Sequence, residues 1–505
     1  MWRKGDGLDA VGPLLYMMPY WCEQYAIRKL EGHMMPRTFA WFLVLLLIPL
    51  SPSMAQEKRL AEWTFMVFMN GDNNLEKFAI NDFMEMAKVG STETVNIVVQ
   101  FDRIAAHGKD WDDQRYGNWS GTLRFKVGKG MTPIPTNAVE DIGEANMGDG
   151  AVLRQFVEWA TSAYPAKRYA LIIWNHGQGW RFDMATTIAA TTEADRKKRA
   201  IFWQMKKDAV ANIKDRALPV VELGLTIPST VRFVSTDDSS RDRLYNREIQ
   251  DVLRPILAGR PLDLIGYDAC LMAMLETAYA MRELAHVMVA SEELEPGPGW
   301  NYELLLTKLV GSPTMDGREL GQAIVKAFEE HYGAGGIRPD ETTTLSAIDL
   351  EKIPRLAGAV SALAKKLGAY VKNNPGKLRD IRGPEEVAYG YKDDYFHEYS
   401  IDLDFFAEKL AGRSKDQDVA SAAKAVRTAI GYAVIANFAG DHAKNVRGSR
   451  GVAIYFPPTQ WYFQNVDQHH EGYLESNTTY PVEFVQHHYW DNFLISSYFV
   501  DAPGP

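Results

Sequence analysis

The sequence predicts an α/β fold built on a mostly parallel central sheet, and two observations support this prediction. Short apolar runs recur along the chain, and such runs are typical of strands that are buried on both faces. Segments with helical periodicity separate these runs. Because parallel strands need a helix-length crossover between them, this alternation favours parallel pairing. The clearest apolar runs lie at 63–69, 95–101, 169–174 and 262–267.

The first elements follow one another in regular order. The strand at 63–69 ends in the turn sequence NGDNN, residues 70–74. The third buried strand, 169–174, ends directly before Asn175 and His176. Between these points the sequence predicts helices at 75–86 and 149–163 and strands at 95–101 and 122–127.

Residues 183–230 interrupt this alternation. They hold a run of four basic residues and two further lysines, so we interpret the segment as an exposed, partly helical insertion. The sheet is predicted to resume at 231–236, before a helix at 245–257. The basic residues are Arg196, Lys197, Lys198, Arg199, Lys206 and Lys207.

Helices dominate the chain beyond residue 305, and neither a repeat nor a low-complexity linker marks a boundary. We therefore predict a core at 56–305, which holds the insertion, and a C-terminal subdomain at 306–505 that packs against it. The remaining predicted elements are helices at 318–331, 352–373 and 418–436 and strands at 287–290, 345–349 and 451–456.

The N-terminal segment has the pattern of a secretory signal peptide. Basic sequence precedes a 12-residue apolar run at 39–50, and a small-x-small site ends at Ala55. The run is too short for a comfortable membrane span, and an uncleaved N-terminal anchor is the alternative. A signal peptide starts its chain, so the pattern predicts translation from Met34 or Met35. Residues 1–55 are then an upstream extension plus signal peptide, and the mature protein is exported, to the periplasm or the medium.

Cys270 is the candidate nucleophile. Of the two cysteines in the chain, Cys22 leaves with the signal peptide, and a lone thiol in an exported protein indicates a reactive group or intermolecular pairing. Cys270 follows the predicted strand at 262–267, and a helix is predicted at 271–284. Ligands bind at this carboxyl edge of a parallel sheet, and a helix N-terminus stabilises a thiolate. A buried structural cysteine is the alternative.

His176 follows a neighbouring buried strand, so its side chain and Cys270 are expected to meet at the same edge. An imidazole near a thiol can take its proton and protonate a leaving group. Gly177 and Gly179 allow close approach of a substrate, and the N–H groups of Gly177 and Cys270 are predicted oxyanion donors. A structural turn residue is the alternative for His176.

Acidic residues lie close to Cys270 in the sequence. Asp268 precedes it by two positions, so the period of a strand points both side chains the same way. A carboxylate there could bind an Arg or Lys side chain, or else cap the following helix. Glu292, Glu293 and Glu295 form a second acidic group, which we expect mostly to be a solvated loop.

Composition and the remaining motifs exclude several classes of protein. The net charge of −10 argues against a general nucleic-acid binder. The sequence contains no CxxC, HExxH, P-loop or GxGxxG motif. Asp72, Asp237 and Asp238 are weak candidates for calcium ligands. The histidine pairs at 469–470 and 487–488 are expected at the surface rather than on a metal.

Four sequence blocks together resemble the clostripain-like cysteine peptidases, peptidase family C11 of the caspase-like clan CD. The resemblance covers about residues 60–460, and two shorter blocks, TLSAIDL (344–350) and GVAIYFP (451–457), are also similar. The four blocks are WTFMVFMNGDNNLE (63–76), YALIIWNHGQGW (169–180), LDLIGYDACLMAMLETAY (262–279) and VASEELEPGPGWNY (289–302).

This resemblance implies a caspase-like α/β/α sandwich with a C-terminal helical and strand extension, and a dyad of His176 and Cys270. It also implies cleavage after Arg or Lys, with Asp268 as the acid of the S1 site. Some members need calcium and mature by cutting a loop between the histidine and the cysteine. The long basic insertion at 183–230 departs from the family pattern.

The sequence therefore predicts an exported cysteine endopeptidase that hydrolyses protein or peptide substrates after Arg or Lys and cuts itself within 196–207. Its chemistry needs no cofactor, and calcium is a candidate accessory ion. We expect no nucleic-acid partner and no stable membrane span after signal removal, and the oligomeric state is not predicted. Two alternatives stay open: a secreted transpeptidase with the same acyl-enzyme, and an inactive peptidase-like binding protein.

Overall fold

A nine-stranded mixed sheet forms the centre of the described part of the chain. This computed structural model describes residues 60–105, 113–177, 179, 234–374, 381, 400–456, 473, 482–494 and 497. All of these residues fall in the unit Arg59–Pro505. The predicted signal peptide and start site lie outside the described residues.

The described strands are, in chain order, β1 (Ala61–Gly71), β2 (Val95–Arg103), β3 (Gly121–Lys126), β4 (Glu140–Gly143), β5 (Ala166–Trp174), β6 (Val234–Asp237), β7 (Asp242–Leu244), β8 (Leu262–Asp268), β9 (Ala285–Ala290), β10 (Thr344–Asp349), β11 (Ser400–Asp402), β12 (Val434–Ala439) and β13 (Ala453–Tyr455).

The described α-helices are α1 (Glu76–Val89), α2 (Gly150–Ala163), α3 (Asn246–Leu257), α4 (Leu275–Met281), α5 (Tyr302–Gly311), α6 (Gly317–Tyr332), α7 (Ile353–Asn373), α8 (Leu403–Arg413), α9 (Gln417–Ala433), α10 (Glu483–His487) and α11 (Trp490–Phe493).

The main sheet has the strand order β12-β10-β9-β8-β5-β1-β2-β3-β4. Its five inner strands, from β9 to β2, run parallel, and an antiparallel pair extends each edge. The predicted mostly parallel sheet is therefore confirmed. Because the inner strands point the same way, the loops that follow β1, β5 and β8 share one edge of the sheet.

Helices cover both faces of this sheet. Successive residues of β1 alternate between the two faces: Phe65 and Val67 pack in the layer that holds α1, α5 and α6, whereas Met66 and Phe68 pack in the layer that holds α2, α3, α4 and α7 to α9. Full burial of each such side chain contributes about 1.5–3 kcal/mol. The apolar runs of the sequence are therefore explained by burial on two sides.

Three predicted elements need correction. Of the stretch predicted to resume the main sheet, 231–236, the described residues 234–236 lie in β6, which turns back at once into the hairpin strand β7 and forms a separate sheet with it. The helix predicted to reach residue 436 ends at Ala433, where β-branched Val434 begins strand β12. The strand predicted at 451–456 is the short β13, which pairs with β11 outside the main sheet.

The main sheet also crosses the domain boundary that we predict near residue 305. β10 and β12 come from beyond this point, and they extend the sheet from β9. The C-terminal part of the chain thus supplies two strands of the sheet on which the candidate site lies.

Candidate active site

The candidate site lies at the carboxyl edge of the main sheet, where β5 and β8 end side by side. Their parallel register aligns Trp174 with Asp268. The Asn175 N–H donates to the Asp268 carbonyl oxygen at 3.2 Å, which extends this alignment past the strand ends. His176 and Cys270 each lie two residues beyond the aligned pair. The structure therefore brings these two predicted residues to the same level on neighbouring segments.

Gly177 packs directly against the backbone of Cys270. A Cβ atom at Gly177 would lie 2.4 Å from the Cys270 carbonyl oxygen and 3.0 Å from its nitrogen. Any side chain here would force the two segments apart, so the glycine allows the segments of His176 and Cys270 to touch. The N–H groups predicted as oxyanion donors, those of Gly177 and Cys270, consequently belong to adjacent pieces of backbone.

The helix predicted directly after Cys270 begins later than expected. α4 starts at Leu275, and residues 269–274 form a loop, so Cys270 is not at a helix N-terminus. Leu271 adopts a φ of 65°, in the left-handed region that leucine rarely occupies. Its N–H donates to the Glu293 carbonyl oxygen at 3.0 Å instead of entering a helix. The prediction that a helix dipole stabilises the thiolate is therefore wrong.

A backbone N–H group takes the place of that dipole. The N–H of Glu295 donates to the Cys270 Sγ atom, with 3.3 Å between nitrogen and sulfur. The same sulfur lies 3.9 Å from the Glu295 carbonyl oxygen. Hydrogen bonding to a charged form favours that form, so the N–H of Glu295 favours the thiolate.

His176 is held by a residue that sequence reasoning did not assign. Its Nε2 atom lies 2.6 Å from Oδ1 of Asn74, and its carbonyl oxygen accepts the Ser235 N–H at 3.1 Å. With an amide oxygen as acceptor, Nε2 carries the proton and Nδ1 keeps the lone pair. Burial lowers the pKa of His176, so the neutral ring with a basic Nδ1 is favoured near neutral pH.

Asp268 is buried beside Cys270, with 4% of its surface exposed. The Tyr302 hydroxyl donates to its Oδ2 at 2.9 Å, and the Trp300 N–H donates to both oxygens at 3.3 Å. A Cβ atom at Gly299 would lie 2.8 Å from Oδ1, so only glycine leaves room for the carboxylate. These partners come from residues 299–302, so Asp268 does not cap α4. Burial raises the pKa of Asp268 to about 6.

The acidic loop after β9 is buried, which corrects the prediction of a solvated loop. Glu292 and Glu293 are each 2% exposed. Glu292 accepts the Gly451 N–H at 2.7 Å, and Glu293 forms an ion pair with Arg447. The carboxyl groups of Glu292 and Glu293 therefore attach this loop to the C-terminal part of the chain. The side chain of Glu295 instead turns toward Asp268.

Comparison with known proteins now identifies the family. The profile of the C11 peptidases, described as the clostripain family, matches residues 67–203 and 226–497, which is most of the chain. The chain belongs to the clostripain family. The prediction of a cysteine endopeptidase from this family is confirmed at that level.

Individual relatives agree with this assignment. Clostripain from Hathewaya histolytica is 27% identical over 449 residues, which cover 78% of this chain and 74% of that protein. A secreted C11 cysteine protease from Bacteroides thetaiotaomicron, solved with an irreversible peptide inhibitor, matches with a TM-score of 0.50 at 18% identity, over 81% of this chain and 97% of that chain. An inactive zymogen C11 protease from Parabacteroides distasonis matches with a TM-score of 0.50 at 17% identity, over 80% and 96%. These likenesses confirm the caspase-like α/β fold.

Three acidic residues of this clostripain-family chain could hold a calcium ion. Carboxylate oxygens of Asp72, Glu144 and Asp237 lie within 4.8 Å of one another. The Oδ2 atom of Asp102, on the strand next to β1, is buried and has no hydrogen-bond partner among the described residues. Burial raises the pKa of Asp72 to about 7 and raises those of Asp102 and Glu144, and neighbouring carboxylates raise all three further. A hard cation with carboxylate ligands would relieve this repulsion.

The sequence identified part of this acidic group. Asp72 and Asp237 are in it, whereas Asp238 takes another role, since its N–H donates to the Asp72 carbonyl oxygen at 2.9 Å. Glu144 was missed, because it lies in an unremarkable loop far from the other two in the sequence.

Several predicted features lie outside the described residues. These are the insertion at 183–230 with its basic run Arg196, Lys197, Lys198 and Arg199, and the histidine pair at 469–470. In the second histidine pair, Nδ1 of His487 lies 3.1 Å from the Tyr279 hydroxyl, and His488 stacks on Phe484. Within the part of the chain that is described, no helix combines the length and the apolar character needed to cross a membrane.

Proposed function

We propose that this clostripain-family enzyme hydrolyses peptide bonds after Arg or Lys, with Cys270 as nucleophile and His176 as acid and base. The observation that carries the proposal is the alignment of β5 with β8, together with the packing of Gly177 on the Cys270 backbone. A thiol and an imidazole delivered to adjacent segments at the carboxyl edge of a sheet are the two groups that acyl transfer needs.

The proposed reaction has two stages. Sγ of Cys270 attacks the scissile carbonyl carbon while Nδ1 of His176 takes the thiol proton, and the N–H groups of Gly177 and Cys270 hold the resulting oxyanion. The C–N bond then breaks, and His176 gives the proton to the leaving amine. Water, deprotonated by the same imidazole, hydrolyses the thioester. Asn74 keeps the histidine ring in the tautomer that both stages require.

Asp268 is proposed as the S1 acid. Its carboxylate is two residues from the nucleophile, it is buried, and no described Lys or Arg side chain forms an ion pair with it. A buried carboxylate is stabilised best by a cationic partner, and a P1 Arg or Lys side chain supplies one.

A scan of fluorogenic peptides varied at P1, with and without a chelator, tests this function. Peptides with P1 Arg or Lys are expected to be cleaved, and peptides with P1 Met or Glu are expected to be poor substrates. Equal cleavage of all P1 residues would contradict the specificity. Product analysis with an added amine would reveal aminolysis in place of hydrolysis, which is the result expected of a transpeptidase.

We also propose that the enzyme matures by cutting itself within residues 196–207, where the basic run matches its own specificity. β5 precedes this segment and β8 follows it, and the two strands pair in one sheet, so the pieces are expected to stay associated. Denaturing gels of wild type and Cys270→Ala, with N-terminal sequencing, test this. An active wild-type chain that remains uncut would overturn it.

Calcium binding and export complete the proposal. We propose that Asp72, Glu144 and Asp237 hold calcium, which would join the β1–α1 loop to the β6–β7 hairpin and so steady Asn74 behind His176. The ion takes no part in the covalent steps.

We further propose that the signal peptide is removed near Ala55, so that the mature enzyme acts outside the cytoplasm. Mass spectrometry of the exported protein gives its N-terminus.

A further inference from the structure

Glu295 has an unusual position for a loop glutamate. Both of its carboxyl oxygens are buried, and no Lys or Arg side chain among the described residues pairs with them. The carboxyl group faces the Asp268 carboxyl group and the indole nitrogen of Trp300, which is buried as well. A buried acid beside a second acid and without a cationic partner costs folding free energy, so its retention indicates a ligand or a function.

The two buried carboxyl groups have no cation between them. Burial and the charge of Asp268 raise the pKa of Glu295 well above its ordinary value. The ionisable groups that face the pair are Asp82, Cys270, Tyr302 and Tyr332, all of which are neutral or anionic. Two like charges in one buried site cannot both form easily, so the pair favours a state in which one of the two carboxyl groups keeps its proton.

Glu295 also contacts the nucleophile. Its backbone N–H donates to Sγ of Cys270 at 3.3 Å, while its side chain reaches the carboxyl group of Asp268. One residue therefore touches both the thiol that attacks the substrate and the acid that is proposed to bind the P1 side chain. This places its carboxyl group within electrostatic range of a P1 cation on Asp268.

We propose that Glu295 is a second acidic residue of the S1 site, and that a basic P1 group binds to the Asp268–Glu295 pair in place of their shared proton. The inference rests on the proposed cleavage after Arg or Lys and adds a specificity-determining residue to it. On binding, one cation enters and one proton leaves to solvent, so the charge of the site is unchanged. A neutral P1 group cannot replace the proton and leaves the pair protonated.

Two measurements on Glu295→Gln test this inference. The first is the ratio of kcat/KM for a P1 Arg peptide to that for a matched P1 Met peptide, which we expect to fall about tenfold, as for the loss of one charged partner. The second is calorimetry of benzamidine binding at pH 7 in buffers of different ionisation enthalpy. Wild type is expected to release close to one proton, and Glu295→Gln close to none.

Control variants separate the possible causes. Glu303→Gln changes an exposed carboxylate on α5, which pairs with Lys88, and should alter neither measurement. Glu295→Asp keeps a carboxyl group and should retain more of the P1 ratio than Glu295→Gln, which general damage to the fold would not produce.

The outcomes also distinguish this inference from the function on which it rests. If wild type prefers P1 Arg and Asp268→Asn loses that preference, but Glu295→Gln changes neither the ratio nor the proton release, Glu295 is not part of S1 and the proposed function stands. If wild type has no basic P1 preference, the proposed function and this inference fail together.

Discussion

Two regions at the same edge of the sheet bury carboxylates in opposite ways. Behind β1 and β2, Glu76 forms an ion pair with Arg103 at 2.8 Å, and their side chains are 1% and 0% exposed. The Arg103 guanidinium also lies over the Trp119 ring, 4.7 Å from its centroid. Beside β8, Asp268 and Glu295 are buried with tyrosine, indole and backbone groups around them, and the chain supplies no described cation.

The difference indicates which acid serves the fold and which serves a ligand. An acid that pairs with a buried arginine is fully compensated within the chain, so removing either partner leaves an unpaired charge and costs stability. An acid pair without a cation is compensated only by hydrogen bonds and a retained proton, so a cationic ligand can stabilise it further. Of the two regions, only the second lies beside a nucleophile.

The largest effect on activity is expected from substitution of Cys270 or His176, which leaves both acidic regions unchanged. Cys270→Ala should abolish hydrolysis while the circular dichroism spectrum and unfolding temperature stay near those of wild type, since the change removes only one sulfur atom. His176→Ala should lower kcat by about 10²–10⁴-fold, the usual contribution of acid–base help. Measurable turnover by pure Cys270→Ala would refute the assignment of the nucleophile.

Two isosteric substitutions, one in each acidic region, test this comparison. Asp268→Asn should reduce kcat/KM for P1 Arg peptides by about 10- to 100-fold relative to P1 Met peptides, because a charged hydrogen bond contributes about 1.5–3 kcal/mol. Glu76→Gln should leave this ratio unchanged and lower the free energy of unfolding, by up to about 3–5 kcal/mol. Thermal unfolding and the P1 ratio are measured on both variants. If both variants lose stability and neither loses specificity, the two acidic regions have the same role.

Asn74 offers a smaller and more specific test. Asn74→Ala removes the acceptor that holds Nε2 of His176, so the imidazole can take the wrong tautomer or orientation. We expect kcat to fall about tenfold while KM for a P1 Arg peptide stays unchanged. We also expect the acid limb of the pH profile of kcat to shift along the pH axis. An equal rise in KM would indicate that the substitution disturbs the loop as a whole rather than the histidine.

The sequence predicts the parallel sheet and the adjacency of the segments that carry His176 and Cys270, because both follow from local patterns. Buried strands are apolar runs, and parallel strands end at one edge, so residues directly after such runs come together. The same logic applies to Asn74, which follows the strand at 63–69, although its run of turn residues by itself indicates only a turn. Position at a strand end was the signal that could have identified it.

Contacts set by loops could not be predicted in this way. The helix expected at 271–284 starts late, because the N–H groups of Leu271 and Ala273 donate to carbonyl oxygens of the loop after β9. The burial of Glu292 and Glu293 likewise depends on Gly451 and Arg447, which come from a distant part of the chain. A local pattern of charged residues predicts that the loop is exposed. Its burial results from tertiary contacts that the local pattern does not contain.

The third acidic group, Asp72 with Glu144 and Asp237, is expected to affect stability rather than catalysis, and it lies between the two cases because some of its oxygens have protein donors. Burial raises the pKa of Asp72 to about 7, so the folded state holds a proton there more tightly than the unfolded chain does. This group therefore makes stability fall as the pH rises from about 4 to about 7. Calcium competes with that proton, so its stabilising effect should be largest above pH 7 and should disappear as the pH falls.

Thermal unfolding of the wild-type protein, with calcium or with a chelator, at pH 8 and at pH 5.5 measures this effect directly, without reference to activity. At a calcium concentration 100 times the Kd, we expect a stabilisation of about 2.7 kcal/mol at pH 8 and little at pH 5.5. Asp237→Asn should remove the calcium response at pH 8, whereas Glu303→Gln, on the surface of α5, should keep it. A calcium response that is equal at the two pH values, or that survives in Asp237→Asn, would place the ion elsewhere and leave this acidic group compensated by protons and protein donors, as we infer for Asp268 and Glu295 before substrate binds.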